Sequence, residues 1–310
     1  MNVLFVSRET REQSVSAIVV AQGESLKSMN VGVNYFRIQG KGAWGYVRSI
    51  FALRAFLKNN AFAVVHAHYS LSGFVAALAG SRPLVVSLMG SDILRGNISR
   101  RLIRFFASWR WSALIVKSDA MKNKLGMACA QVIPNGVDME RFQPHSRPEA
   151  KNKVGFTGNK NIVFVGDPER HEKNFILAEA MRTQLHDENI NLHVVWRQPH
   201  EKLPVYMSAA DVLLLTSLYE GSPNVIKEAM ACNCPIVATD VGDIRWVLGN
   251  TAGCFLASFT AQDVADKIEK ALEFGKRTNG RERLIELGLD DDSIAARIIQ
   301  VYENVLKKDD

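Results

Sequence analysis

Glu220-Gly-Ser-Pro-Asn-Val-Ile-Lys-Glu228 sets two carboxylates on either side of a loop that runs into a helix start. Ser222 suits the N-cap, and Pro223 suits the first helical position, where its missing N–H costs nothing. Val225, Ile226, Ala229 and Met230 then repeat at helical spacing as one apolar face. Asn224 and Glu228, four apart, share one side of that helix. Free N–H groups at such a terminus favour an anion, phosphate above all. Carboxylates are poor phosphate ligands but accept hydrogen bonds from sugar hydroxyls well. A phosphate flanked by hydroxyls describes a nucleotide sugar. Asp211-Val-Leu-Leu-Leu-Thr-Ser217 ahead of the loop and Pro235-Ile-Val-Ala-Thr-Asp240 behind it read as strands. The unit is therefore βαβ, with the loop at a strand's carboxyl end, where open α/β sheets bind ligands.

The rest of the chain repeats this alternation. Strand-like runs begin at residues 2, 32, 62, 83, 113 and 130, and again at 161, 191, 212, 235 and 253, with helical patterns between most of them. Alternation of this kind predicts α/β architecture with parallel, doubly wound sheets. The 310 residues fit two domains of about 150 each. Residues 143–160 are polar with two prolines and read as a linker. That division predicts an N-terminal domain over 1–150, a second domain over 151–290, and a terminal helical segment, 291–310, packing back toward the first. Charge divides the same way. Residues 1–150 carry 19 Lys and Arg against 8 Asp and Glu, a net of +11, whereas 151–310 carry 19 against 24, a net of −5. The basic half should face something anionic, a membrane surface or a phosphorylated acceptor. No nucleic-acid-binding motif is present, so nucleic acid is not the expected partner.

These stretches together resemble the retaining glycosyltransferases of family 4, the group 1 glycosyltransferases of GT-B fold. The string from Asp211 to Cys232, running into Pro235–Asp243, is similar to the signature of that family. Val132-Ile-Pro-Asn-Gly-Val-Asp-Met-Glu-Arg-Phe142 resembles the motif near its hinge. Val65-His-Ala-His-Tyr-Ser70 and Val85-Val-Ser-Leu-Met-Gly-Ser-Asp92 resemble its two N-domain motifs. Ile162-Val-Phe-Val-Gly-Asp-Pro-Glu-Arg-His-Glu-Lys-Asn174 resembles the first strand and phosphate loop of its second domain. The details lie nearest a bacterial subgroup that builds cell-surface polysaccharides, teichuronic-acid-type transferases among them.

The resemblance implies two Rossmann-like domains facing across a cleft. It implies transfer of a sugar from a nucleotide-sugar donor, expected to be a UDP-sugar, to a glycan or lipid-linked acceptor. Lys173 and Arg170 would stabilise the departing diphosphate, beside Gly166. Glu220 would hold donor-sugar hydroxyls. Gly221, Ser222, Pro223, Asn224 and Val225 would line the phosphate site, and Glu228 would accept the ribose hydroxyls. Attack on the donor's front face, with a donor phosphate oxygen taking the acceptor proton, requires no metal and no further cofactor. Arg8, His68, Tyr69, Ser91 and Asp92 would lie on the acceptor side.

Three positions depart from the family pattern. Asp167 stands where members commonly carry Arg. Met89 stands where a histidine usually precedes Gly-x-Asp. Ser7-Arg-Glu-Thr-Arg-Glu-Gln-Ser-Val-Ser16 lacks the glycine pair that follows the first strand in many members. Ser14 or Ser16 is expected to cap the next helix, and Arg8 or Arg11 to meet an anion there. The alternatives are a nucleotide-sugar epimerase or a phosphorylase of the same fold, or a catalytically weak donor-binding subunit, the last motivated by the missing glycines.

Several readings come from residue pattern alone. His66 and His68 are expected to alternate across their strand, one packed and His68 facing the site. Asp92 is either an acceptor-positioning group or a helix cap. Leu102, Phe105, Phe106 and Trp109 fit a buried stripe packing on the sheet, while Arg100, Arg101, Arg104 and Arg110 suit an anionic membrane. Cys232-Asn-Cys234 has no second Cys or His pair near it, so buried packing rather than a metal site is expected. Met1-Asn-Val-Leu-Phe-Val reads as a first strand, not a signal peptide, and no run of about 18 apolar residues is present. A cytoplasmic protein, peripheral on the inner face of the membrane, is the expectation.

Overall fold

The computed structural model describes residues 1–9, 15–40, 42–94, 96–157, 160–187 and 189–309. Arg11 and Ser14 lie outside the described residues. The chain forms two compact units, Met1–Gly136 with Asp291–Asp310, and Val137–Asp290.

In the first unit the elements run β1 (Asn2–Arg8), α1 (Ala17–Ser28), β2 (Gly32–Ile38), α2 (Gly42–Asn59), β3 (Val64–His68), α3 (Ser70–Ala79), β4 (Leu84–Ser87), α4 (Ser91–Leu94), α5 (Asn97–Trp109), β5 (Ala113–Val116), α6 (Asp119–Leu125) and β6 (Gln131–Val132). The six strands are parallel in the order β2-β1-β3-β4-β5-β6. Strand order reverses between β1 and β3. Right-handed crossovers therefore place α1 on one face and α2, α3 and α5 on the other. Leu4, Val6, Val65, Val86 and Val116 form the core under the second group. They are apolar in unbroken runs because strands covered on both faces bury every side chain.

The second unit runs α7 (Arg147–Val154), β7 (Lys160–Val165), α8 (Phe175–Arg182), β8 (Ile190–Val195), α9 (Leu203–Ala209), β9 (Val212–Leu215), α10 (Asn224–Ala231), β10 (Ile236–Thr239), α11 (Ile244–Leu248), β11 (Cys254–Ala257), α12 (Ala261–Phe274) and α13 (Gly280–Glu286). Its five strands are parallel in the order β11-β10-β9-β7-β8, packed around Ile162, Phe164, Leu214 and Val237. The reversal here falls between β7 and β9. The last helix, α14 (Asp291–Asp309), belongs to the first unit. It packs on α1, and its buried Tyr302 hydroxyl lies 2.6 Å from His66 Nδ1.

Three expectations are corrected. The stretch 143–160 is not a plain linker, because α7 lies within it and packs on α9. The polar residues that read as linker make fixed contacts there: Arg147 and Lys151 both reach the Asp211 carboxylate, at 3.0 and 3.2 Å. His66 and His68 do not face opposite sides. Their rings stack at 4.4 Å, since residues two apart on a strand share one face, and both are fully buried. The stripe on α5 is also reversed in part. Ile103 is buried and Phe106 packs on Phe74 at 4.6 Å, but Leu102, Phe105 and Trp109 point to solvent. At 3.6 residues per turn the centre of their arc lies about a quarter turn from the centre of the arc that Ile103 and Phe106 occupy.

Candidate active site

The loops after β7 and β9 meet where the strand order of the second unit reverses, the position at which open α/β sheets bind ligands. The first loop leaves β7 through Gly166 at φ +144°, a conformation that favours glycine. A 3₁₀ turn, His171–Lys173, follows, and Asn174 is left-handed at φ 49°. The second loop is tied to the first. Thr216 Oγ1 donates to the carbonyls of Lys173 and Asn174 at 2.9 and 3.0 Å, and Leu218 N donates to Glu172 O at 2.9 Å. These bonds bring Lys173 Nζ to 2.7 Å from Glu220 Oε1. Ser217 Oγ donates to the same oxygen at 2.9 Å. Lys173 and Glu220 are both mostly buried, so the pair is screened less than a surface pair.

The loop at the start of α10 differs by one residue from its sequence reading. Pro223 is the N-cap and Asn224 the first helical residue, and Ser222 does not cap. Its hydroxyl instead accepts from Lys227 Nζ at 2.8 Å. Lys227 is buried, and a buried ammonium requires hydrogen-bond partners. Burial pushes the nearby Asp243 carboxyl above the ordinary range, and the Lys227 charge pulls it back. Gly242, at φ +65°, lies so close that a Cβ there would meet Gly221 O at 2.8 Å. The turn after β10 thus backs the Glu220–Gly221 peptide. Gly221, Ser222 and Pro223 are buried; Asn224 and Val225 are half-buried.

Glu228, on the next turn of α10, is almost fully buried. Its Oε1 is 2.9 Å from His200 Nε2. Arg141 Nη1 lies 3.4 Å from His200 Nδ1, and the Phe142 ring meets the imidazole edge-on at 5.3 Å. An Arg donor at Nδ1 fixes the neutral imidazole with its proton on Nε2, donating to Glu228. His200 was not legible as a site residue. Its one signal is the repeat of His171-Glu-Lys173 as His200-Glu-Lys202, each forming a 3₁₀ turn after a strand. The Glu228 hydrogen bond raises the His200 pKa, against burial and the Arg141 charge. A raised folded-state pKa stabilises below the unfolded value of about 6.5 and is lost as pH rises through the folded value. The imidazole is 38% exposed, so solvent weakens the effect. The melting-temperature gap between the wild type and His200→Gln should therefore shrink modestly from about pH 6 to about pH 9. A gap that stays constant across that range would show that this pair does not titrate.

Arg170 is not aimed at Lys173. Its guanidinium is exposed and bonded to Glu172, with Nε at 2.8 Å. Asp167 shapes the turn by accepting from Glu169 N at 3.0 Å. The acceptor-side residues all belong to the first unit. Arg8 donates to the Tyr46 hydroxyl at 2.9 Å and is exposed. Burial pushes the His68 pKa down to about 3, with the Lys117 charge adding to it, so this histidine is a packed neutral group. Its Nε2 lies 3.1 Å from Gln22 Oε1. Tyr69 holds a left-handed φ of 71° at the end of β3, beside the reversal point of this sheet. Such a conformation costs about 1–3 kcal/mol and is retained mainly at functional positions. Asp92 is buried and accepts from Ser70 N at 2.7 Å and Met89 N at 2.8 Å. It ties the ends of β3 and β4 together, while Ser91 beside it is exposed. Ser16 sits at the N-cap of α1 without a side-chain cap bond. Cys232 and Cys234 are buried. Among the described residues no group of three His, Cys, Asp or Glu side chains is placed to hold a metal ion.

Two doubly wound parallel sheets, one carrying a cation–carboxylate pair beside a helix N-terminus at its reversal point, define the class as GT-B. The chain belongs to the group 1, family 4 glycosyltransferases: residues 3–141 match the family described as Glycosyltransferase Family 4, and residues 157–291 match Glycosyl transferases group 1. It is 28% identical over 236 residues to a putative teichuronic acid biosynthesis glycosyltransferase, TuaC, of Bacillus subtilis. That match covers 67% of this chain and 60% of TuaC, less than two thirds of the relative's length. It is 23% identical to the Escherichia coli UDP-Gal:alpha-D-GlcNAc-diphosphoundecaprenol alpha-1,3-galactosyltransferase, over 68% of this chain and 66% of that one. Among solved structures, sucrose-phosphate synthase from Thermosynechococcus elongatus superposes with a TM-score of 0.84 at 18% identity, over 99% of both chains. Anabaena HepE in complex with UDP superposes at 0.76 and 17% identity, over 98% of this chain and all of the other.

Proposed function

We propose that this chain is a retaining glycosyltransferase that moves a sugar from a UDP-sugar to a glycan or lipid-linked acceptor in cell-surface polysaccharide synthesis. The observation that carries the reading is the Lys173–Glu220 pair, 2.7 Å apart, beside the N-terminus of α10, with Glu228 one turn further on. A diphosphate at that terminus would meet the Lys173 ammonium and the N–H groups of the first turn. Glu220 would exchange its lysine contact for donor-sugar hydroxyls. Glu228 would take the ribose hydroxyls, with the His200 N–H holding its carboxylate in place. The leaving charge would build on the oxygens nearest Lys173, and one of them would accept the acceptor's proton as the new bond forms on the same sugar face. The UDP bound by HepE supports the choice of base, and the lipid-linked substrate in the name of the E. coli relative supports the choice of acceptor. The enzyme would act in the cytoplasm, at the anionic inner surface of the membrane.

A thermal-shift screen of nucleotide sugars tests this. A ligand at a hundred times its Kd stabilises by about 2.7 kcal/mol, a readable rise in melting temperature. One or more UDP-sugars should produce it, and that donor should be consumed when acceptor is added. No shift with any nucleotide sugar would overturn the reading.

A further inference from the structure

The first unit covers one face of its sheet with α2, α3 and α5, neighbours in contact as α2 with α3 and α3 with α5. The outer surface of this layer is apolar to an unusual degree. On α5, Ile98, Leu102, Phe105 and Trp109 recur at helical spacing and all face solvent, Ile98 at 76% and Phe105 at 58% exposure. On α2, Trp44 is 82% and Phe51 65% exposed, with Val47 between them. Exposed Leu78 stands on α3. Large aromatic side chains in such numbers on one layer mark an interaction surface.

The charge around them identifies the partner. The helices α2, α3 and α5 hold six Lys and Arg, namely Arg48, Arg54, Lys58, Arg100, Arg101 and Arg104, and no carboxylate. Asp92, the carboxylate ahead of α5, is buried and bonded to two backbone N–H groups, so it offsets nothing at the surface. Arg101 is exposed beside the α5 stripe, and Arg110 stacks over the Trp109 ring at 4.4 Å. Arg48 and Lys58 accompany the aromatic residues of α2. An apolar band edged by cations, with acid absent, complements an anionic lipid surface: acyl chains for the band, headgroup phosphates for the rim. A protein partner would require complementary pockets, and a second copy would set like charges against one another.

We propose that α2 and α5 insert Trp44, Phe51, Ile98, Leu102, Phe105 and Trp109 into the interfacial layer of an anionic bilayer, so that the first unit is held there by apolar burial as well as by charge. The inference rests on the reading that the chain works at a membrane, and adds how it is held.

The test uses the full chain with vesicles of phosphatidylcholine mixed with phosphatidylglycerol, and with vesicles of phosphatidylcholine alone. Sedimentation reports binding, and tryptophan quenching by lipids brominated on their acyl chains reports depth. The mixed vesicles should bind the protein and quench its fluorescence. Trp44→Phe with Trp109→Phe should keep the binding and lose most of the quenching. Leu102→Ser with Phe105→Ser should weaken partition about ten-fold or more, because two large apolar side chains no longer leave water. Arg100, Arg101 and Arg104 changed to Ser should also weaken it, and added salt should mimic that change. An unchanged thermal melt confirms that each variant is folded. Binding without quenching would overturn insertion and leave charge-driven docking standing. Absence of binding even at low salt would overturn both insertion and the membrane reading. A dimer in sedimentation velocity that Leu102→Ser with Phe105→Ser disperses, with vesicles ignored, would assign the face to a second copy instead.

Discussion

Lys173→Ala should cut turnover by roughly a hundred-fold or more while the affinity for donor falls much less. The leaving diphosphate gains charge as the sugar bond breaks, so a fixed cation contributes more in the transition state than in the ground state. Lys173 is held for that task from two sides. Its own carbonyl accepts from Thr216, and its ammonium meets Glu220 at 2.7 Å. The alanine variant also leaves the Glu220 carboxylate in a mostly buried site without its cation, though Ser217 still donates to it. Lys173→Arg separates the two effects: it restores charge near Glu220 but not the position of a compact ammonium. Turnover is the decisive measurement, taken under donor saturation. Near-normal turnover in Lys173→Ala would remove the residue from the reaction.

Glu228→Ala should weaken binding of the free nucleoside diphosphate about ten-fold or more, without unfolding the protein. The carboxylate is almost fully buried and is held by the His200 N–H at 2.9 Å. One carboxylate oxygen carries that bond, which leaves the second for the ribose hydroxyls. Glu228→Gln should fall between the wild type and Glu228→Ala, since its carbonyl still accepts but carries no charge. Calorimetry with UDP reads the difference directly, and unchanged affinity in Glu228→Ala would place the residue outside the site. His200→Gln gives a cross-check: it should weaken UDP binding less than Glu228→Ala, because it disturbs the position of the carboxylate and not the acceptor itself.

The sequence by itself determined the parts that local rules control. The βαβ unit around Glu220–Glu228 is legible because a strand run, a Gly-Ser-Pro loop and a helical stripe follow one another within about thirty residues. Ile226, Ala229 and Met230 are buried as that stripe requires. The two parallel sheets follow from the same alternation, repeated along the chain.

Only the tertiary structure decided which of those parts meet. Lys173 and Glu220 lie 47 positions apart, and nothing local pairs them; the reversal of strand order between β7 and β9 does. His200 reaches Glu228 in the same way, through the end of β8. The stacking of His66 on His68 was within reach of the two-residue period of a strand, but their partners, Tyr302 and Gln22, come from α14 and α1. On α5 the helical period marks Leu102, Phe105 and Trp109 as a stripe without saying which arc the sheet will take. Ile103 and Phe106 took it, because α3 presents Phe74 to that arc. Periodicity is a property of one element, whereas burial is set by the neighbour that arrives to cover it.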